Sequence, residues 1–123
     1  NYCVTLCREL EDDFTNPNTV KVVMSLDGNA LYFSRSLIPY KRNQVNQAVY
    51  QHIGIYGYSL EFLNKYAALE STPLSECESL EQLKILEHGY KIRVKVTSCK
   101  NHNIGVDTPE DLRKVREIIN AGI

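Results

Sequence analysis

The stretch His52-Ile53-Gly54-Ile55-Tyr56-Gly57-Tyr58 constrains this chain most. Isoleucines alternate with glycines, a period of two that reads as a short strand in which apolar contact and close backbone approach come from the same few residues. His52 and Tyr56 are four apart, and residues at even separation on a strand share a face. An imidazole and a phenol therefore project together, with Gly54 between them leaving room. Two readings stay open at this point: a strand that presents both rings to a polar ligand, or an edge strand with ordinary polar aromatics and glycines at bulges.

The remaining elements are set out around that strand. Residues 2–8 read as a strand, Glu9 to Asp13 as a wet acidic surface, and Asn16-Pro17-Asn18 as a turn. Val20 to Met24, the Asp27-Gly28 turn pair and Ala30 to Phe33 make a β-hairpin. Ile38-Pro39 is extended or turning, and residues 43–51 read as polar and weakly helical. Ser59 is the N-cap of a helix ending near Leu69, with Leu60, Leu63 and Ala67 on its inner face. Thr72-Pro73 opens a second helix expected to run to His88, with Gly89 as its C-terminal cap and Leu74, Cys77 and Glu81 on one stripe. Lys91 to Val96 alternates as a strand with one wet face. A last helix starts at Thr108-Pro109, with Leu112, Val115 and Ile119 facing the core, and ends at Gly122. Strands and helices alternating after residue 50 imply an α/β layer, and the hairpin before it implies a mixed sheet with flanking helices.

Composition removes several functions. A chain of 123 residues suits one domain, or a fragment of one, with a modest core, and its net charge of -1 offers no basic footprint for nucleic acid. No apolar run is long enough to span a bilayer, and no basic-then-apolar leader opens the chain. Cys3, Cys7, Cys77 and Cys99 read as free thiols in a reducing cytoplasm; Cys99 and His102 have the spacing of half a zinc site with no second half.

Four positions carry candidate chemistry beyond the central strand. Arg35 follows the second hairpin strand, so a rigid element would present its guanidinium to an anion; an exposed surface arginine is the plainer alternative. Glu81, with Gln82 beside it, is a carboxylate on an apolar helix edge, either at a boundary or facing a polar cavity. Asp107 follows a glycine at a loop-to-helix junction. If Thr108 is the cap, Asp107 is free to hold a divalent cation; otherwise it is itself the cap.

Taken together, these stretches resemble one family. Asn16-Pro17-Asn18-Thr19-Val20-Lys21-Val22-Val23, Ala30-Leu31-Tyr32-Phe33-Ser34-Arg35-Ser36 with Ile38-Pro39, the His52–Tyr58 strand, Pro73-Leu74-Ser75-Glu76, Leu80-Glu81-Gln82-Leu83 and Gly105-Val106-Asp107-Thr108-Pro109-Glu110-Asp111-Leu112 resemble, in order, segments of the 3-deoxy-manno-octulosonate (Kdo) cytidylyltransferases, or CMP-Kdo synthetases. The resemblance implies the C-terminal half of a Rossmann-like nucleotide-sugar transferase fold. It implies a reaction of CTP with Kdo giving CMP-Kdo and pyrophosphate with Mg2+, for lipopolysaccharide synthesis in the cytoplasm, in a homodimer. By the same resemblance Arg35 would pair with the sugar carboxylate, His52 and Tyr56 would contact the sugar, Glu81 and Gln82 would bond its hydroxyls, and Asp107 would hold the metal as the catalytic residue. The family's enzymes are about twice this length. Their phosphate loop, cytosine pocket and second metal aspartate have no counterpart here, and Gly54 and Gly57 do not form a phosphate cradle. The isolated chain is therefore expected not to turn over. A sugar-acid-binding or dimerisation fragment and a cytidylyltransferase for a related sugar acid such as sialic acid are the alternatives.

Overall fold

A computed structural model describes residues 2–97. A five-stranded sheet is formed by β1 (Cys3–Glu9), β2 (Lys21–Met24), β3 (Ala30–Ser34), β4 (Tyr50–Tyr58) and β5 (Arg93–Val96), in the order β3-β2-β4-β1-β5. β4 runs antiparallel to β1 and β2, and β5 returns parallel to β1 after the helices. The expected hairpin is β2–β3, turning at Gly28 with φ +88°, where a side chain would be strained. Backbone bonds from Ala30 N to Ile92 O (2.8 Å) and from Val94 N to Gly28 O (2.9 Å) tie the start of β3 to β5. The two edges of the sheet thus touch at the hairpin, and the mixed sheet with flanking helices is the architecture expected from the sequence.

Period-two alternation sorts the strands into two faces. Cys3, Cys7, Val22 and Phe33 join Phe62, Leu80, Leu83, Ile85, Ile92 and Val94 in the main core. Val4 and Leu6 pack with Ile53 and Ile55 on the opposite face. Cys3, Cys7 and Cys77 are free thiols, as expected, and burial pushes both Cys3 and Cys7 up to about 12, so they pack as small apolar groups.

The helices depart from the sequence reading in three ways. α1 (Leu60–Ala67) is capped by Ser59, whose side chain accepts from Phe62 N. Its inner face, however, is Phe62 with Tyr66 rather than Leu60, Leu63 and Ala67; Leu60 is 73% exposed. Aromatic stacking on Tyr58 decides the rotation, with ring centroids of Phe62 and Tyr66 each 5.8 Å from that of Tyr58. The long helix from Pro73 to His88 is instead two short ones, α2 (Pro73–Glu78) and α3 (Leu83–Glu87). Ser79 breaks it in the left-handed region (φ 54°), so Leu74 and Cys77 lie exposed while Leu80, Gln82, Leu83 and Ile85 turn inward. The third departure is the segment 43–49, which forms no helix and reaches β4 through tight turns closed by Val45 N to Asn43 O (3.0 Å) and Gln47 N to Val45 O (2.9 Å). Gly89 does end α3, with φ +87° and its N–H donating to Leu86 O.

Candidate functional site

The central strand is irregular where its glycine sits. Thr5 pairs with Tyr56 while the next residue, Leu6, pairs with Ile53, so two residues of β4, Gly54 and Ile55, are left over as a bulge. Parity survives the bulge, and His52 and Tyr56 meet with ring centroids 5.5 Å apart. A Cβ at Gly54 would meet no heavy atom within 4 Å, so the space expected beside that residue is open.

An aromatic ladder extends from this pair. His52 stands edge-on to Phe33 at 4.9 Å, and Tyr56 stacks on Tyr58 at 5.7 Å. Burial lowers the His52 pKa to about 4, and burial likewise raises both tyrosines above the ordinary phenol value. At neutral pH this row holds an uncharged imidazole and protonated phenols, a polar but neutral surface for hydrogen bonding.

Arg35 follows β3 directly, and its guanidinium closes the C-terminus of α2. Nε donates to Glu78 O (2.7 Å), Nη2 to Ser79 O (3.1 Å) and Nη1 to Pro17 O (2.9 Å). Helix C-terminal carbonyls lack intrahelical donors, and a cation there also suits the helix dipole. Five N–H groups less these three leaves one hydrogen on each terminal nitrogen. The Glu78 carboxylate accepts from Arg35 N (2.8 Å), Ser34 Oγ (2.9 Å) and Tyr32 Oη (2.7 Å). Burial works to raise its pKa, but these hydrogen bonds and the Arg35 charge prevail and hold it below the ordinary value. Lys21, with no exposed surface, donates from Nζ to Asn16 O (2.7 Å) and Arg35 O (2.9 Å), fixing the Asn16-Pro17-Asn18 turn against the arginine.

The broken helix separates Glu81 from Gln82. The Glu81 side chain is 79% exposed and its carboxylate pairs with Lys84 at 2.9 Å, so it lies on solvent and not on an apolar stripe. Gln82 is buried, and its side-chain amide makes no hydrogen bond among the described residues. Both follow Ser79, whose carbonyl Arg35 holds. His52 and Tyr56 are thus joined ring to ring, Arg35 is held at the α2–α3 corner, and Phe33 links the strands by touching His52 two residues before Arg35. Asp107 lies outside the described residues, as do Cys99, His102 and the last expected helix. Among the described residues no three His, Cys, Asp or Glu side chains are grouped to hold a metal. A cavity of about 250 Å³ lies apart from these groups, lined by Val22, Val23, Met24, Pro39, Gln47, Ala48 and Tyr50.

Thr5, Lys21, Tyr32 and Glu78 escape a reading of the sequence. Each acts on a residue far along the chain, and only the strand register and the α2–α3 corner bring the partners together.

Comparison with known proteins places the chain in a family. The profile of the family described as cytidylyltransferase fits residues 1–92, and the chain belongs to that family. Within it, the chain is related to the CMP-Kdo synthetases. It is 46% identical over 115 residues to the 3-deoxy-manno-octulosonate cytidylyltransferase of Acaryochloris marina, covering 94% of this chain and 46% of that protein. It is 50% identical over 105 residues to that of Fusobacterium nucleatum subsp. nucleatum, covering 85% and 42%. A solved structure of CMP:2-keto-3-deoxy-manno-octonic acid synthetase complexed with CTP superposes with a TM-score of 0.77 at 38% identity, covering 99% of this chain and 50% of that one. The chain spans about half the length of the curated relatives it matches. No helix among the described residues is long and apolar enough to cross a membrane.

Proposed function

We propose that this chain supplies the sugar side of a CTP:Kdo cytidylyltransferase acting in the cytoplasm, in which the anomeric hydroxyl of Kdo attacks the α-phosphate of CTP and pyrophosphate leaves. The observation that carries the reading is the neutral His52–Tyr56 pair beside open space at Gly54, in a sheet whose strand β3 leads directly into an arginine with two spare N–H groups. A sugar acid needs hydroxyl partners and one forked cation, and this set has that chemistry. Arg35 takes the carboxylate, His52 and Tyr56 contact the ring, and Gln82 and Glu81 bond hydroxyls. For Glu81 this requires exchanging Lys84 for the ligand. Such transfers call mainly for positioning and neutralisation of phosphate charge. Mg2+ held by Asp107 would supply that neutralisation and acidify the attacking hydroxyl.

The reading makes separable demands. Arg35→Ala should abolish Kdo binding measured by calorimetry, and Arg35→Lys should not restore it, because an ammonium cannot fork. In a polypeptide that also carries a nucleotide half, Asp107→Ala should remove CMP-Kdo formation while sparing sugar binding. Residues 1–123 alone should show no turnover with CTP, Kdo and Mg2+; the rate of a full-length relative would sink the half-site assignment. Selection of sialic acid over Kdo in the same titration would replace the sugar but keep the site.

A second role, self-association through the hairpin region into a homodimer, is supported by the exposure of Leu26, Leu31, Tyr40 and Val45 there. Arg35→Ala should leave sedimentation behaviour unchanged, since the arginine faces α2.

A further inference from the structure

We infer that Thr5 is a positioning residue that fixes the His52 proton on Nε2, so that the ring offers a ligand a hydrogen-bond acceptor at Nδ1. The argument starts at the β4 bulge. Thr5 has no exposed surface, and its Oγ1 lies 2.8 Å from Ile55 O, 3.2 Å from Ile53 O and 2.9 Å from His52 Nε2. A hydroxyl has one hydrogen to give and lone pairs to accept with. The two carbonyl oxygens carry no hydrogen. If Thr5 donated to Nε2, its oxygen would face both carbonyls at these distances with no hydrogen between them. With Thr5 donating to the nearer carbonyl, Ile55 O, and Nε2–H donating to Oγ1, the hydroxyl both gives its hydrogen and accepts one, and only the more distant Ile53 O faces it without a hydrogen. In a neutral imidazole the other nitrogen is then a lone-pair acceptor. Nδ1 makes no hydrogen bond among the described residues, and burial keeps the ring neutral at physiological pH.

The consequence is a polarity for the site, and this part rests on the reading under Proposed function. A lone pair at Nδ1 accepts from a sugar hydroxyl and repels a carboxylate. His52 therefore reads a hydroxyl, and the carboxylate is left to Arg35. Thr5 touches no ligand and acts only through the imidazole.

Long-range 1H–15N spectra of the histidine rings test the assignment, with His52 identified among the three histidines by its loss in His52→Gln. The wild-type protein should show a protonated Nε2 and an unprotonated Nδ1. Thr5→Val, of nearly the same shape, removes the acceptor and should bring the two 15N shifts toward an average. Thr5→Ser should keep the wild-type pattern. Kdo affinity should fall about tenfold in Thr5→Val, the worth of one hydrogen bond, and stay within about twofold in Thr5→Ser. A protonated Nδ1 in the wild type, or an unaltered pattern in Thr5→Val, overturns the proposal. The wild-type spectrum needs no variant to fold. A wild-type Nε2–H pattern without Kdo binding would remove the sugar reading and leave the tautomer assignment standing. Kdo binding with an Nδ1–H ring would do the reverse.

Discussion

His52 should make the fold acid-sensitive in a pH range where carboxylates contribute little. Burial lowers its pKa from 6.5 to about 4. Between those values the unfolded chain binds a proton that the folded chain refuses, so stability is fully present above 6.5 and falls as pH falls toward 4. The slope approaches 1.36 kcal/mol per pH unit, and between pH 7.5 and 4.5 the loss integrates to about 2.5 kcal/mol. Glu78 and Asp27, whose pKa values are lowered by folding, act below their ordinary values of 4.5 and 3.8, beneath this window. The chain has no tryptophan, so urea unfolding followed by far-ultraviolet circular dichroism is the suitable assay. His52→Phe keeps an aromatic ring against Phe33 and has no proton to gain, so its stability should be nearly flat over the same range. A flat wild-type profile, or a His52→Phe profile with the wild-type slope, would refute the claim that the half-buried His52 is held neutral.

Three other perturbations test the packing that holds the site. Glu78→Ala leaves Tyr32 Oη, Ser34 Oγ and Arg35 N without their acceptor; unfolding free energy should drop by about 2–3 kcal/mol, and a change under 0.5 kcal/mol would mean that water replaces the carboxylate. Phe62→Ala should cost about 3–4 kcal/mol in chemical denaturation while Leu60→Ala costs under about 0.5, an order that reverses if Leu60 marks the inner face of α1. Ser79 pays a steric cost at φ 54°, and Ser79→Gly should raise the melting temperature by the equivalent of about 1 kcal/mol; a loss instead would show that the left-handed corner is not the resting conformation.

Legibility in the sequence followed the range of the interactions. The strand at His52–Tyr58, the Asp27-Gly28 hairpin, the Ser59 and Thr72 caps and the Gly89 stop are set by residues within a turn of one another, and each is where its local pattern indicates. The inner face of α1 was not legible, because Leu60 and Leu63 satisfy helical periodicity as well as Phe62 and Tyr66 do. What favours the aromatics is Tyr58, which already stands on the sheet with a ring to stack against.

The break between α2 and α3 shows the same limit at the site itself. Nothing from Ser79 to Gln82 is a glycine or a proline, so the sequence continues as a helix. Arg35, 44 residues earlier, supplies the donors that the α2 carbonyls would otherwise find in another helical turn, and Glu78 binds the arginine's own backbone in return. The corner and the arginine therefore stabilise each other. Breaking the helix turns Gln82 inward and Glu81 out to Lys84, so one residue pair that looks equivalent in sequence is divided into a buried amide and a solvated carboxylate. A sugar that drew Glu81 inward would have to separate it from Lys84 and reshape the same corner that Arg35 holds. In the proposed complex, binding at the arginine and recruitment of Glu81 would thus be coupled through Ser79, whose carbonyl Arg35 holds.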